Sequence, residues 1–414
     1  MTGTRAPRDV EGSASIPKTV EALCALLAQC NETGAKVTIA GGETLRGMGF
    51  PPLDDAISVH TTALKKILDY SPADMTLSVQ GGATLKTLAT RLRRDGQFIP
   101  FDAPRPGHAT VGGTLAAGWL GPRRHRYGSP RDLLIGSAIA LADGTLARAG
   151  GMVVKNVAGY DMSRFYVGSF GTLGVLVQAN FKTLPIPPAA RAFLAPLPEG
   201  TRSRALAQVR ALAIEPSVAL WIEGFAKEIA GDDGSEGRLF VLLEGSEPLL
   251  ERATRDLRSA LGRAGVPETR IIDVRAYDLL ESVVDAYVAT VADRSITYRI
   301  ASRPERVEAC ALDARDLVRR LALDASIIAD LLDGDVIVRA SRLDTRDLAL
   351  KFQVLDDALH AGEPRARVIA GDHPVRPALR VWGADPPAIE QMRALKARFD
   401  PNGTLNSGRF VSGI

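Results

Sequence analysis

The sequence predicts an α+β fold in two parts. Three observations carry that reading. Residues 15–187 alternate β-rich runs with segments of helical period. The run Pro185-Ile186-Pro187-Pro188 cannot continue a strand ladder and marks a boundary. Residues 189–375 then repeat a strand–helix–strand theme, which suits antiparallel strands covered by helices on one face. At 414 residues the chain is long enough for more than one core.

Residues 1–14 read as a disordered arm without the apolar core of a signal peptide. Pro17 is suited to open a helix. Val20, Leu23, Cys24 and Leu27 follow at helical spacing, so Cys24 reads as a small buried hydrophobe. Lys36–Ala40 and Thr76–Gln80 read as strands, and Leu85, Leu88, Ala89 and Leu92 mark one helix face. Ser137–Leu141 and Thr145–Arg148 flank Asp143-Gly144, a favoured hairpin dipeptide. Val175-Leu176-Val177 reads as a buried strand after a glycine turn.

In the second part the strands expected are Val218–Glu223, Leu239–Glu244, Ile296–Ile300 and Val336–Ala340. The helices expected are 202–213, 248–263, 305–322 and 345–361, with a polar loop at Gly231–Gly237. From Met392 the chain reads as a helix followed by the turn-rich tail Phe399–Arg409.

Composition removes several function classes. Apolar residues make up 46% and charged residues 24%, as in ordinary soluble globular proteins. The net charge is only +3, and basic residues alternate with acidic ones, as in Arg315-Asp316. A nucleic-acid protein should instead concentrate a basic face, so no nucleic-acid partner is expected. Cys24, Cys30 and Cys310 form no disulfide framework and no iron–sulfur motif. His60, His108, His125, His360 and His373 are scattered, so no metal site is expected. No apolar run is long enough to span a bilayer, which leaves a cytoplasmic protein as the expectation.

Three glycine-containing segments carry the chemistry. In Thr38–Leu45 a β-branched strand runs into Gly41-Gly42, where backbone N–H groups can form a concave anion site. Pro106–Gly118 is rich in small residues that leave room for a bulky ligand. A helix beginning near Gly113 would offer free N–H groups to a pyrophosphate. In Gly150–Leu176 a Lys-Asn-Val-Ala-Gly-Tyr-Asp string (155–161) precedes Gly-Ser-Phe-Gly-Thr-Leu-Gly-Val (168–175). None follows the Gly-x-Gly-x-x-Gly pattern of a dinucleotide-binding strand–helix turn. Taken singly, each cluster reads equally as a tight turn.

In this order and spacing, the three segments resemble the FAD-binding domain of the vanillyl-alcohol oxidase family. The Gly121-Pro122-Arg123-Arg124 stretch, the 155–161 string and the tail are most similar to one branch, the FAD-binding small subunit of bacterial three-subunit glycolate oxidase. The resemblance implies an FAD-binding domain over 15–187, an α+β cap with an antiparallel sheet over 188–380, and a segment, 381–414, that returns to the FAD domain. It implies FAD contacts at Ala40, Gly41, Gly42, Glu43, Thr44 and Leu45 in a pyrophosphate loop. Ala109, Thr110, Val111, Gly112, Gly113 and Gly118 would serve in a central loop, with Asp132 beyond it. Gly171, Gly174, Val175 and Asn406 would close the site.

The resemblance also implies departures. Covalently flavinylated members carry a His after the first glycine pair or a Cys in the central region. Here Glu43 follows Gly42 and no Cys lies between Cys30 and Cys310, so the FAD is expected to be noncovalent. Phe170 stands where dehydrogenase relatives usually have Glu, and their histidine-rich metal site has no counterpart. The implied partners are therefore a larger FAD subunit and an iron–sulfur subunit. The substrate is a small 2-hydroxy acid, and the location is cytoplasmic or at the inner membrane through those partners.

Lys155, Tyr160 and Asp161 either orient the flavin or a substrate carboxylate, or fix their own loop. Arg123, Arg124 and Arg126 either bind an anion or partner, or form a solvated loop. His108 reads as structural, Asp132 as cap or cofactor contact, and Trp119, Trp221 and Trp382 as core or interface. Three functions stay open: a flavin subunit of a glycolate-oxidising complex, a self-sufficient 2-hydroxy acid dehydrogenase, and a nucleotide-binding structural subunit.

Overall fold

The structure, a computed structural model, describes residues 14–152, 160–225, 229, 237–266, 270–272, 275–290, 294–342, 347–362, 365–371 and 373–414. All but the last residue of the expected arm lies outside these residues, as do Lys155 and most of the 231–237 loop. The chain divides into two compact units. One comprises Met1–Leu120, Gly128–Ile186 and Asp385–Ile414; the other comprises Gly121–Tyr127 and Pro187–Ala384.

In the first unit, helix α1 (Val20–Thr33) is opened by Thr19 rather than Pro17: the Thr19 hydroxyl accepts the Ala22 N–H at 3.1 Å. Its buried stripe is Leu23, Leu27 and Cys30. Cys24 sits about 100° round from Leu23, off that stripe, and is partly exposed. Strands β1 (Val37–Ala40) and β2 (Ile57–His60) pair in parallel. The tail runs beside β1: Val37 N–H donates to the Thr404 carbonyl at 2.7 Å, and Asn406 N–H to the Val37 carbonyl at 2.8 Å.

Next come β3 (Ile67–Ser71), β4 (Thr76–Gln80), β5 (Gln97–Phe98), β6 (Leu134–Ala140), β7 (Leu146–Gly150), β8 (Val175–Lys182) and β9 (Leu184–Pro185). Five of them form an antiparallel sheet in the order β3-β4-β8-β6-β7, while β5 pairs with β9. Pro185 thus still pairs, opposite Gln97, before the chain leaves the unit. The β6–β7 connection is longer than a two-residue turn. Leu141 N–H donates to the Thr145 carbonyl, and Asp143 Oδ1 accepts the Thr145 N–H. Helix α2 (Leu85–Arg93) buries Leu85, Leu88 and Leu92; Ala89 is exposed. The core joins α1, β1, β2, β6 and β8 through Leu23, Leu27, Val59, Ala138, Val177 and Leu405.

The second unit is an eight-stranded antiparallel sheet. Its strands are β10 (Ala189–Pro196), β11 (Val218–Glu223), β12 (Arg238–Gly245), β13 (Arg270–Ile272), β14 (Ser295–Ala301), β15 (Asp324–Asp330), β16 (Asp335–Ser341) and β17 (Arg365–Ala370). Their order is β13-β10-β12-β11-β15-β16-β14-β17. Side chains alternate between faces. On one face, Trp221, Glu223 and Tyr298 meet the helices Glu199–Arg210, Val307–Arg320 and Leu348–His360, through Arg202, Arg319 and Asp356. The helix Ala276–Ala286 and the segment Gly121–Tyr127 meet the opposite face at Glu244.

Candidate functional site

A cleft of about 590 Å³ opens in the first unit at the end of β1. β1 delivers the chain into Gly41-Gly42, and Glu43 turns it with a φ of 54°. Among the described residues, the N–H groups of Gly41 to Leu45 have no protein acceptor. Buried or half-buried donors seldom stay unpaired, so consecutive N–H groups facing a cleft form a ready anion cradle. The glycines are needed for a different reason. A Cβ on Gly42 would lie 1.7 Å from the His108 carbonyl oxygen, so this loop packs backbone to backbone on the next one.

That second loop leads into helix α3 (Val111–Ala117). Its first N–H groups are not free, contrary to expectation. Val111 donates to the Ala83 carbonyl at 3.0 Å, Gly112 to the Gly81 carbonyl at 2.7 Å, and Gly113 to the Thr110 hydroxyl at 3.2 Å. Any anion role at this end therefore falls to the 41–45 loop. Gly112 and Gly113 contribute the absence of side chains on the cleft wall.

The tail closes the third side. Asn406 Oδ1 accepts the Ile39 N–H at 2.8 Å, and its Nδ2 donates to the Phe170 carbonyl at 2.7 Å. Gly171 has a φ of 71°, and a Cβ there would come within 2.7 Å of that Nδ2. Phe170 is stacked with Phe410, their ring centroids 6.2 Å apart. The Arg409 guanidinium lies over the Phe170 ring at 5.1 Å, while Nε donates to the Phe50 carbonyl at 3.2 Å. Behind this corner, Lys396 Nζ donates to Asp400 Oδ2 and to the Thr172 and Leu405 carbonyls. Burial, opposed by Asp400, pulls the Lys396 ammonium below its ordinary pKa.

Most of the residues expected around FAD meet here. Ala40, Gly41, Gly42, Glu43, Thr44 and Leu45 line the cleft, joined by Thr110, Gly112 and Gly113 and by Gly171, Gly174, Val175 and Asn406. Ala109 and Val111 are buried away from the lining, and Gly118 ends α3 with a φ of 60°. Asp132 is also outside it: Oδ2 accepts the Ser129 N–H and hydroxyl, both at 2.7 Å. Tyr160 is 94% exposed, and Asp161 caps Met162–Phe165 by accepting the Arg164 N–H. His108 is exposed, and its backbone carbonyl rather than its ring packs against the glycine loop. Trp119 and Trp221 are core residues, and Trp382 is partly exposed.

Phe170, Arg409 and His60 line the cleft without having been expected there. Phe170 lay inside the 168–175 segment and Arg409 ended the tail motif, so position was the available signal for both. His60 had none; its Nε2 is 3.1 Å from the Ser58 hydroxyl oxygen.

The arginines of 121–127 belong to the second unit, where two of them are ion-paired rather than solvated. Arg123 meets Glu244 at 3.4 Å. Tyr277 and Tyr127 donate to the same carboxylate at 2.7 and 3.0 Å. Burial and then the Glu244 charge push the Tyr127 phenol up to about 12. Arg124 bridges Asp333 at 2.9 Å and Asp335 at 2.7 Å. Arg126 is exposed. Burial opposes protonation of His125, but its contacts with Glu215 and Asp333 outweigh that and raise its pKa. Asp330, fully enclosed, is pushed up to about 7 by burial and then by Asp333. Among the described residues, no three metal-ligating side chains cluster, and no helix is long and apolar enough to cross a membrane.

Comparison with known proteins adds to this geometry. A family profile described as FAD binding domain matches residues 14–163. The chain is 35% identical to glycolate oxidase subunit GlcE of Escherichia coli, over 54% of this chain and 65% of that protein. It therefore spans slightly under two thirds of that relative's length. It is 26% identical to glycolate oxidase subunit GlcD of Bacillus subtilis, over 96% of this chain and 88% of that protein. Among solved structures, p-cresol methylhydroxylase with substrate bound superposes with a TM-score of 0.72 at 17% identity, covering 96% of this chain and 88% of that one.

Proposed function

We propose that this chain, an FAD-dependent oxidoreductase of the vanillyl-alcohol oxidase type, is a flavin-holding subunit of a glycolate-oxidising complex. The observation that carries the reading is the run of N–H groups from Gly41 to Leu45 that have no acceptor among the described residues, set in a cleft whose other walls are glycine-rich. Such a run suits the pyrophosphate of FAD. Gly112, Gly113 and Gly171 keep side chains out of the cofactor's path, and Asn406 holds the walls together. We assign the flavin part to 15–187 with 381–414, and the cap to 188–380.

FAD, when bound, supplies a two-electron acceptor. Oxidation of a 2-hydroxy acid to the 2-oxo acid also needs a cation for the carboxylate and a base for the hydroxyl proton. The N–H groups of the 41–45 loop would hold the cofactor's charged end. The match to glycolate oxidase subunit GlcE favours a subunit role over a self-sufficient enzyme. The flavin is read as noncovalent, since Glu43 occupies the position after the glycine pair. In this reading an iron–sulfur subunit would accept the electrons, and a larger flavin subunit would complete the complex in the cytoplasm or at the inner membrane.

The experiment is co-expression with candidate operon neighbours and affinity purification through this chain. A yellow complex containing a second flavoprotein and an iron–sulfur protein is expected. A monodisperse yellow monomer that turns over glycolate unaided favours the second reading, a self-sufficient dehydrogenase. That reading draws on the near full-length match to a D-lactate dehydrogenase of Archaeoglobus fulgidus, 26% identical over 98% of this chain and 93% of that protein.

A further inference from the structure

The helix Ile389–Phe399 lies in the first unit, and none of its residues is buried. A helix without a buried apolar stripe needs another anchor. Phe399 supplies part of it, its ring packing against those of Phe165 and Tyr166 at 5.6 and 6.1 Å. Lys396 supplies the rest. Its side chain turns inward and is only 13% exposed. It donates to Asp400 Oδ2, to the Thr172 carbonyl at 2.9 Å and to the Leu405 carbonyl at 2.8 Å. An ammonium has three donors, so all of them are used. The enclosed Asp400 carboxylate also accepts the Thr404 N–H at 2.8 Å and the Leu405 N–H at 2.7 Å.

Two of those acceptors decide what the pair does. Thr172 sits between Gly171 and Gly174, which line the cleft, and Leu405 immediately precedes Asn406, which lines it too. Lys396 itself does not line it. The glycine loop and the tail are therefore joined twice. In front, Asn406 Nδ2 holds the Phe170 carbonyl at 2.7 Å; behind, the Lys396 ammonium holds the carbonyls of Thr172 and Leu405. Between the two anchored carbonyls of the loop lies Gly171, with a φ of 71°. A single anchor would leave the loop free to swing about that glycine, and a second one fixes it. Burying an ion pair costs desolvation that its attraction barely offsets, so global stability is a poor account of Lys396. Its charge-assisted hydrogen bonds supply direction instead.

We propose that Lys396 is a positioning residue for FAD. Without touching the cofactor, it sets the separation of the 171–174 loop from Asn406, and so the fit of the cleft that these two walls bound. Asp400 holds the ammonium in place. This inference needs the FAD site and not the glycolate reading.

The test is release of FAD from the FAD-loaded chain on dilution, followed by the rise in free flavin fluorescence. Visible circular dichroism adds a signature of how the bound flavin is held. Lys396→Met combined with Asp400→Asn removes the pair without leaving a lone buried charge. Lys396→Gln keeps an amide with two donors. Leu23→Val, in the core and away from the cleft, is the comparison for stability alone. The double variant should release FAD at least about tenfold faster than wild type and alter the flavin dichroism. Lys396→Gln should fall between the two. Leu23→Val should lower the thermal midpoint yet keep the wild-type release rate and spectrum. Where the double variant does not fold, Lys396→Gln decides by the same criteria. Wild-type release and dichroism in the folded Lys396 variants, or equal acceleration in Leu23→Val, overturns the proposal. So does failure of both Lys396 variants to fold, which would make the pair a folding element only.

Discussion

Asn406 Nδ2 donates a hydrogen bond to the Phe170 carbonyl at 2.7 Å, across 236 positions of chain. The same carboxamide accepts the Ile39 N–H. One side chain thus ties the tail, the glycine loop after Phe170 and the end of β1 into the wall of a single cleft. Asn406 itself is held with a φ of 45°, in the left-handed region that Asn tolerates better than most residues.

Asn406→Ala should therefore cost about 1–3 kcal/mol for the buried groups left unpaired. It should also lower the flavin-to-protein ratio. Asn406→Asp retains the Oδ1 acceptor but sets a carboxylate against the Phe170 carbonyl, so it should behave no better. Chemical denaturation and absorbance spectra check both. Wild-type stability and flavin content in Asn406→Asp would show that the clip carries little.

Glycine substitutions should separate folding from cofactor retention. Gly42→Val meets the His108 backbone at 1.7 Å from its Cβ and should disrupt folding itself. The Cβ of Gly113→Val meets only the Thr110 hydroxyl, at 3.0 Å. That variant should fold, with circular dichroism like wild type, and retain less than about half the flavin, because the branched side chain intrudes on the cleft. A full flavin complement in folded Gly113→Val contradicts the placement of this wall.

The Asp330 carboxyl should make stability depend on pH. Its folded pKa, raised from 3.8 to about 7, means that the folded state binds the proton more tightly than the unfolded chain. The stabilisation is fully present below about 3.8 and is lost as pH rises through about 7. Asp330→Asn keeps a carbonyl oxygen for the Leu332 and Asp333 N–H groups and removes the titration. Its advantage over wild type should grow between pH 5 and pH 8, to the order of 1–4 kcal/mol. Parallel stability curves for the two proteins across that range would refute the assignment.

FAD should leave the denatured protein. Acid precipitation is expected to release the chromophore into the supernatant. Yellow colour retained in the washed pellet would point to a covalent link and direct attention to His60, which lines the cleft.

Much of this was legible in the sequence, and the exceptions share causes. β4, β11 and β14 announced themselves through β-branched and apolar runs, and Gly41-Gly42 announced the cradle. β15 and β17 were hidden because Asp324 and Asp330 bound a short apolar run in one, and Arg365 and Arg367 leave few apolar residues at the start of the other. Those residues are charges that the second unit gathers on one face. The helix Ala276–Ala286 was missed although its apolar residues bury in an amphipathic pattern, since no strong cap opens it. The pairing of Arg124 with Asp333 and Asp335 could not be read from a local charge run, because its partners lie about two hundred positions away. Helix α3 showed the opposite failure: a glycine-rich start looked like an open anion site, but Ala83, Gly81 and Thr110 already accept its N–H groups.

The most direct test of the central claim is anaerobic titration with glycolate, followed at the flavin absorbance maximum, on the purified chain and on the assembled complex. The chain alone should bleach slowly or not at all, and the complex should bleach rapidly at stoichiometric glycolate. Complete, rapid bleaching of the isolated chain would contradict the subunit role and establish a self-sufficient dehydrogenase in its place.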